Sequence, residues 1–243
     1  MLERFFQFHS KLSPFHLFSL DHLITIGIIL ILSVLLFVFR KQIQNSGKKR
    51  LFRFSLAFLL LASEIFYHIW LVYEHAWSLK TGLPLELSDI TVILAIVMLL
   101  TNSYRVFQFM YFAGLTSSIQ AIMTPDLGHY SFPHFRYFEF FVSHGGVVLA
   151  CIIMVVASKY RPTIPSMWMT VLIVNLYATS VFFINKSLKT NFMYLMKKPE
   201  NTSLLDYLGP WPWYLLSAEL VMIVSFYILY SPFWLKRKME RNR

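Results

Sequence analysis

The sequence predicts an all-α, polytopic integral membrane protein: a bundle of seven transmembrane helices with the N-terminus outside and the C-terminus cytoplasmic. Three observations carry this. Hydrophobic residues make up 57% of the chain and charged residues 14%, with mean hydropathy +0.57, a composition that excludes an ordinary soluble domain. Apolar segments of roughly 20 residues, long enough to cross about 30 Å of hydrocarbon, recur along all 243 residues and leave no room for a separate soluble domain. Basic residues collect at the ends of these segments. A spanning segment satisfies its backbone polar groups internally, and these runs are too long and too uniformly apolar for barrel strands, so helices follow.

Residues 1–19 mix aromatics with Arg4, Lys11, His9, Pro14 and His16, which suits an interfacial segment lying on the membrane. The first helix, at 20–39, is too long for a signal-peptide core and runs into Arg40 and Lys41, not a small-residue cleavage site. The second spans 51–73. The third, 85–101, opens behind Leu83-Pro-Leu-Glu-Leu-Ser-Asp89, where Ser and Asp are ordinary N-cap types. Only Asn102-Ser103-Tyr104 separates it from the fourth, 105–122, so the two read as a tight hairpin. The fifth, 137–157, is unusual in carrying Glu139, Ser143 and His144 followed by two glycines. The sixth covers 167–185, and the seventh, 212–235, begins beside Trp211 and Trp213.

Residues 40–50 hold five basic residues and no acid, and residues 236–243 hold five against Glu240. The positive-inside rule puts both in the cytoplasm, and seven spans put both on one side. The net charge of +10 therefore reads as topology and attraction to anionic head groups, not as nucleic-acid binding. The expected partners are membrane lipids and a small-molecule ligand. The oligomeric state is not legible.

Ionisable residues inside spans are expensive, about 2.5 to 3.5 kcal/mol for a charge at a helix centre, so Glu64, Glu139, His144 and Glu219 call for partners or water. In the predicted topology Ser88 and Asp89 enter the third helix from outside, at the depth where His144 lies in the fifth. Asp126 sits in the connection between the fourth and fifth helices, and Glu219 lies about two turns into the seventh. Convergence of polar groups at one end of a bundle points to a cavity there, with Glu64, Asp126, Glu219, Trp211 and Trp213 as candidate ligand-binding residues. Each has a plainer reading. Ser88 serves as a helix cap, His144 as a core histidine bonded to a carbonyl, Gly145 and Gly146 as close-packing positions, and the tryptophans as an interface belt. The eight histidines form no closed ligand set, Cys151 lies mid-span as a structural thiol, and no phosphate loop or Gly-x-Ser-x-Gly elbow occurs, so no metal or cofactor is expected.

The segments Leu83 to Asp89, Thr124-Pro-Asp126 and Phe140-Phe-Val-Ser-His-Gly145 carry a resemblance. So do Asn191-Phe-Met-Tyr-Leu-Met-Lys-Lys-Pro199 and Ser203-Leu-Leu-Asp-Tyr-Leu-Gly-Pro-Trp-Pro-Trp-Tyr214. Together they resemble the YwaF-type bacterial membrane proteins, and more distantly the eukaryotic transmembrane protein 164 family. The resemblance implies a multi-pass protein of the bacterial inner membrane. The eukaryotic family is associated with phospholipid acyl transfer through a cysteine nucleophile and a histidine. By motif position that cysteine falls on Ser88 and that histidine on His144. Serine depends on a neighbouring base more than cysteine does, so the replacement either keeps acyl chemistry through His144 or ends it.

Two function classes follow. One is a lipid acyltransferase or acyl hydrolase in which His144 takes the Ser88 proton and Asp89 or Glu139 orients the imidazole. The other is a heptahelical binding or transport protein for a small polar or zwitterionic ligand.

Overall fold

The computed structural model describes residues 3–199 and 203–241. The helices, in chain order, are α1 (Leu20–Val38), a short α2 (Arg40–Ile43), α3 (Ser46–Tyr73), α4 (Leu87–Thr101), α5 (Tyr104–Met123), α6 (Phe135–Val156), α7 (Ile164–Leu188) and α8 (Trp213–Arg241). No strand occurs among the described residues. Six helices are long and apolar enough to cross a membrane, and α4, at 15 residues, is shorter. The protein is a multi-pass membrane protein built as a helical bundle.

Helix α6 is the axis. Of its spanning stretch 78% is buried, against 11% for α1 and α8, and it packs against α1, α3, α4 and α5. Its two glycines allow this. A Cβ on Gly146 would lie 2.5 Å from Leu60 Cδ2 of α3, and one on Gly145 would lie 3.0 Å from Ile29 Cδ1 of α1. Close packing by small residues is what draws apolar helices together where no hydrophobic drive exists between them. Helix α5 lies on the other side of α6 and leads out to α7 and α8. Cys151 ties α6 to α5, its buried thiol donating to the Met110 carbonyl at 3.4 Å.

Helix α4 is about 22 Å long at 1.5 Å per residue, shorter than a hydrocarbon core of about 30 Å, and side chains close both of its ends. The N-terminus closes with a reciprocal box: Glu86 accepts from the backbone of Asp89, and Asp89 accepts from Glu86 N at 3.2 Å. At the C-terminus the buried Arg53 of α3 donates Nε to Leu99 O at 2.8 Å and Nη2 to Leu100 O at 3.1 Å. A cation is favourable at that end of a helix. The turn to α5 is held by Asn102 in the left-handed region, whose carbonyl accepts from Tyr160 and whose amide oxygen accepts from Ser158.

Three helical regions run beyond the bounds expected from the sequence. Much of the basic segment 40–50 is helical: it forms α2, and α3 begins at Ser46 with the Asn45 side chain accepting from Gly47 N. Charge interrupts hydropathy without interrupting a helix. Likewise α8 runs through the basic tail to Arg241, and α7 is longer at both ends than 167–185. The N-terminal segment packs on one end of the bundle. Phe8 lies among Trp70, Tyr130 and His9, Tyr130 donates to Phe8 O, and His134 meets Gln7 O at 3.1 Å.

Candidate functional site

A cavity of about 770 Å³ opens among α4 to α8 and the connection before α8. Ser88 and His144 both line it, as do Glu86, Asp89, Thr116, Ser117, Asp126, Arg136, Asn175, Tyr194 and Glu219. Ser88 is at the second position of α4. The sequence reading of Ser88 as a possible cap is corrected, because the carboxylate of Glu86 holds that place and Asp89, three residues on, completes the box. Among the described residues no partner engages the Ser88 hydroxyl, and Thr91 donates only to its backbone carbonyl.

His144 is held on two sides. Its ring stacks on Phe140, centroids 4.1 Å apart and planes 24° apart, and Nδ1 lies 2.7 Å from the Phe140 carbonyl oxygen. A carbonyl only accepts, so Nδ1 carries the proton and the neutral ring keeps its lone pair on Nε2. Among the described residues Nε2 has no partner. An imidazole in this tautomer, oriented from behind, has the form of a general base.

The orienting group is Phe140, which corrects the expectation that Asp89 or Glu139 would do this. Asp89 is occupied at the start of α4. Glu139 is buried outside the cavity lining, where it pairs with Arg136 and accepts from Ser143 at 3.1 Å, with Ser143 in turn 3.2 Å from Ser63 of α3. A carboxylate buried in a span is stabilised by such a set of donors.

The remaining candidates divide. Asp126 and Glu219 line the cavity, Asp126 accepting from Tyr194 at 2.7 Å and Glu219 from Asn175 at 2.9 Å. Glu64 does not. It lines a separate groove between α3 and α4 together with His68. Trp211 and Trp213 lie outside the lining as well: Trp211 donates Nε1 to Leu195 O at 3.1 Å, and Trp213 is 63% exposed, so one pins the neighbouring connection and the other suits an interface position.

Sequence reading missed that connection as part of the site. Met193 and Tyr194 both have left-handed backbone, φ 57° and 50°, and with Leu195 they cover the cavity beside α4. Met193 N donates to Glu86 Oε2 at 2.8 Å, and the Tyr214 hydroxyl donates to Tyr194 O. The connection is shaped by the buried Asn185, which accepts from Phe192 N and Thr190 and donates to Phe192 O, and by Asn191, which accepts from Met196 N and Lys197 N. Asn191, the first residue of the motif, was the available signal. Burial, with the charge of Asp89 beside it, pushes the Glu86 carboxyl up to about 8, while the Met193 hydrogen bond acts in the opposite sense. Cys151 is not a lining residue, so the one cysteine does not stand in for Ser88. Among the described residues no group of three or more His, Cys, Asp or Glu side chains is arranged to hold a metal.

The TMEM164 family model matches residues 17–230, and no curated protein and no solved structure matches the chain. That match takes in every helix from α1 to α7, most of α8, and both Ser88 and His144, so the chain belongs to the TMEM164 family.

Proposed function

We propose that the protein is a lipid acyltransferase or acyl hydrolase in which Ser88 is the nucleophile and His144 its base. The observation that carries the reading is the pairing of an unengaged serine hydroxyl with a histidine locked as the Nδ1–H tautomer, both on the wall of one cavity. In the reaction Nε2 takes the Ser88 proton as Oγ attacks an ester carbonyl of a membrane lipid. The tetrahedral intermediate then expels the lipid alkoxide, which leaves with that proton, and the acyl group remains on Oγ. Water or a second lipid hydroxyl, deprotonated by the same nitrogen, attacks the acyl-enzyme and restores Ser88. Phe140 holds the ring through stacking and through its carbonyl.

The same proposal gives the protein seven spans, with α4 as the short one. The charge pattern supports an outer N-terminus and a cytoplasmic C-terminus, and with them a cavity that opens on the outer-leaflet side. The motif resemblance supports a YwaF-type protein of the bacterial inner membrane.

The test is acyl release and transfer in proteoliposomes made with a labelled diacyl lipid, with and without a lysolipid acceptor. Activity lost in both Ser88→Ala and His144→Ala supports the reading, and equal activity in all three proteins overturns it.

Four carboxylates on the cavity wall, Glu86, Asp89, Asp126 and Glu219, favour a second reading, a binding or transport protein for a zwitterionic ligand. It predicts ligand uptake that is indifferent to Ser88→Ala.

A further inference from the structure

Helix α4 borders a second hollow besides the cavity. A groove of about 460 Å³, within the size range of small-molecule sites, runs between α3 and α4. Leu61, Ile65, Ile93 and Val97 line it and are exposed, so it opens on the apolar surface that faces lipid. Two of its lining residues are ionisable, Glu64 and His68, one turn apart on α3 and therefore on one face of that helix. Among the described residues the Glu64 carboxyl makes no hydrogen bond or ion pair, and the His68 ring nitrogens make no hydrogen bond. The charges around Glu64 do not balance it. Asp89 at the start of α4 and Arg136 of α6 both lie within electrostatic reach, but Arg136 is paired with Glu139, so a surplus of negative charge remains at this end of the groove. An ionisable residue on a lipid-facing surface is costly and calls for a partner.

We propose that the groove between α3 and α4 binds a lipophilic primary amine, its ammonium head on Glu64 and His68 and its hydrocarbon along Ile93, Ile96 and Val97. The groove is polar at one end only: Glu64 and Pro84 lie beside the start of α4, and Val97 lies about 15 Å further along that helix. A carboxylate only accepts, and a neutral imidazole adds one accepting nitrogen, so the head that fits is a donor. An ammonium carries three donors and the opposite charge, and charge-assisted hydrogen bonds gain strength away from water. An alcohol brings one donor and no charge, and a carboxylate or phosphate head is repelled by Glu64. Neither Ser88 nor His144 lines the groove, so the site stands apart from the acyl chemistry.

The test is photolabelling of the full-length protein in a non-ionic detergent, using dodecyl probes that share one mid-chain diazirine and differ in head group: amine, hydroxyl or carboxylic acid. Adducts are mapped to peptides by mass spectrometry. The amine probe is expected to label α3 and α4 residues of the groove about 10-fold or more above the acid probe, with the alcohol between them. Glu64→Gln is expected to bring amine labelling of these peptides down to the level of the alcohol, and His68→Phe to lower it in part. Equal labelling of the groove by all three probes in the wild type, amine adducts found only on the cavity helices α5, α7 or α8, or undiminished groove labelling in a folded Glu64→Gln each overturns the proposal. So does an unlabelled groove in a protein whose oligomer dissociates in Glu64→Gln, which would assign this face to a second copy of the chain.

Discussion

The imidazole of His144 hydrogen-bonds, through Nδ1, the carbonyl of Phe140 one helical turn earlier, while the ring of that same phenylalanine lies stacked 4.1 Å away. One residue thus fixes both the tautomer and the plane of the ring. Phe140→Leu keeps the carbonyl and removes the stacking face. It is expected to lower acyl turnover by about 2- to 13-fold, which is what the 0.5–1.5 kcal/mol attached to aromatic pairing converts to, while the protein stays folded. Turnover in proteoliposomes with a melting curve as control checks this, and unchanged turnover would remove Phe140 from the account.

Glu86 ties the start of α4 to the connection covering the cavity, and its carboxyl is raised to about 8. A carboxyl raised on folding binds its proton more tightly in the native state. Its stabilising contribution is therefore complete below the ordinary carboxylate range and is lost as pH rises through about 8. The melting temperature in detergent is expected to fall between pH 6 and pH 9 in the wild type, and to fall less in Glu86→Gln. Equal slopes in the two proteins would show that Glu86 does not titrate in this way.

Gly146 meets Leu60 so closely that an added Cβ would lie 2.5 Å from Leu60 Cδ2. Gly146→Ala is expected to destabilise the bundle by about 1–3 kcal/mol through overpacking, and a second change, Leu60→Val, to recover part of the loss. Unfolding of the single and double variants in a denaturing detergent measures both effects. Additive losses would place the clash elsewhere.

Asn185 is 1% exposed and makes three hydrogen bonds to the connection after α7. Asn185→Ala leaves buried backbone groups of Phe192 without partners and is expected to cost about 2–4 kcal/mol. Limited proteolysis should then cut within residues 190–199 faster than in the wild type. An unchanged cleavage pattern would mean that the connection is held by other contacts.

The helices were legible because twenty-residue apolar runs leave the backbone no other solution, and the glycine pair in α6 announced close packing. Polar residues inside spans, such as His144 and Glu219, were legible as exceptions, and Ser88 and Asp126 were legible as polar residues at the same end of the predicted bundle. What the sequence concealed were relationships between distant segments. Nothing local says that Glu139 turns to Arg136 instead of His144, that Glu64 faces a different groove, or that Arg53 closes the far end of α4. The basic segment 40–50 misled because low hydropathy marks the end of a membrane core, not the end of a helix. Met193 and Tyr194 were hidden for another reason, since left-handed backbone at non-glycine residues is set by the asparagines around them and by Glu86 across the cavity.

The central claim is that Ser88 is activated by His144, and covalent labelling of purified protein with a serine-reactive fluorophosphonate tests it most directly. Ser88 Oγ attacks phosphorus, fluoride leaves, and the adduct is located by mass spectrometry. The account predicts a phosphonyl adduct on Ser88 in the wild type, none in Ser88→Ala, and labelling slowed by 100-fold or more in His144→Ala, the low end of what a general base contributes, about 10²–10⁴-fold. Equal labelling of all three proteins, or an adduct on another residue with Ser88 unmodified, would contradict it.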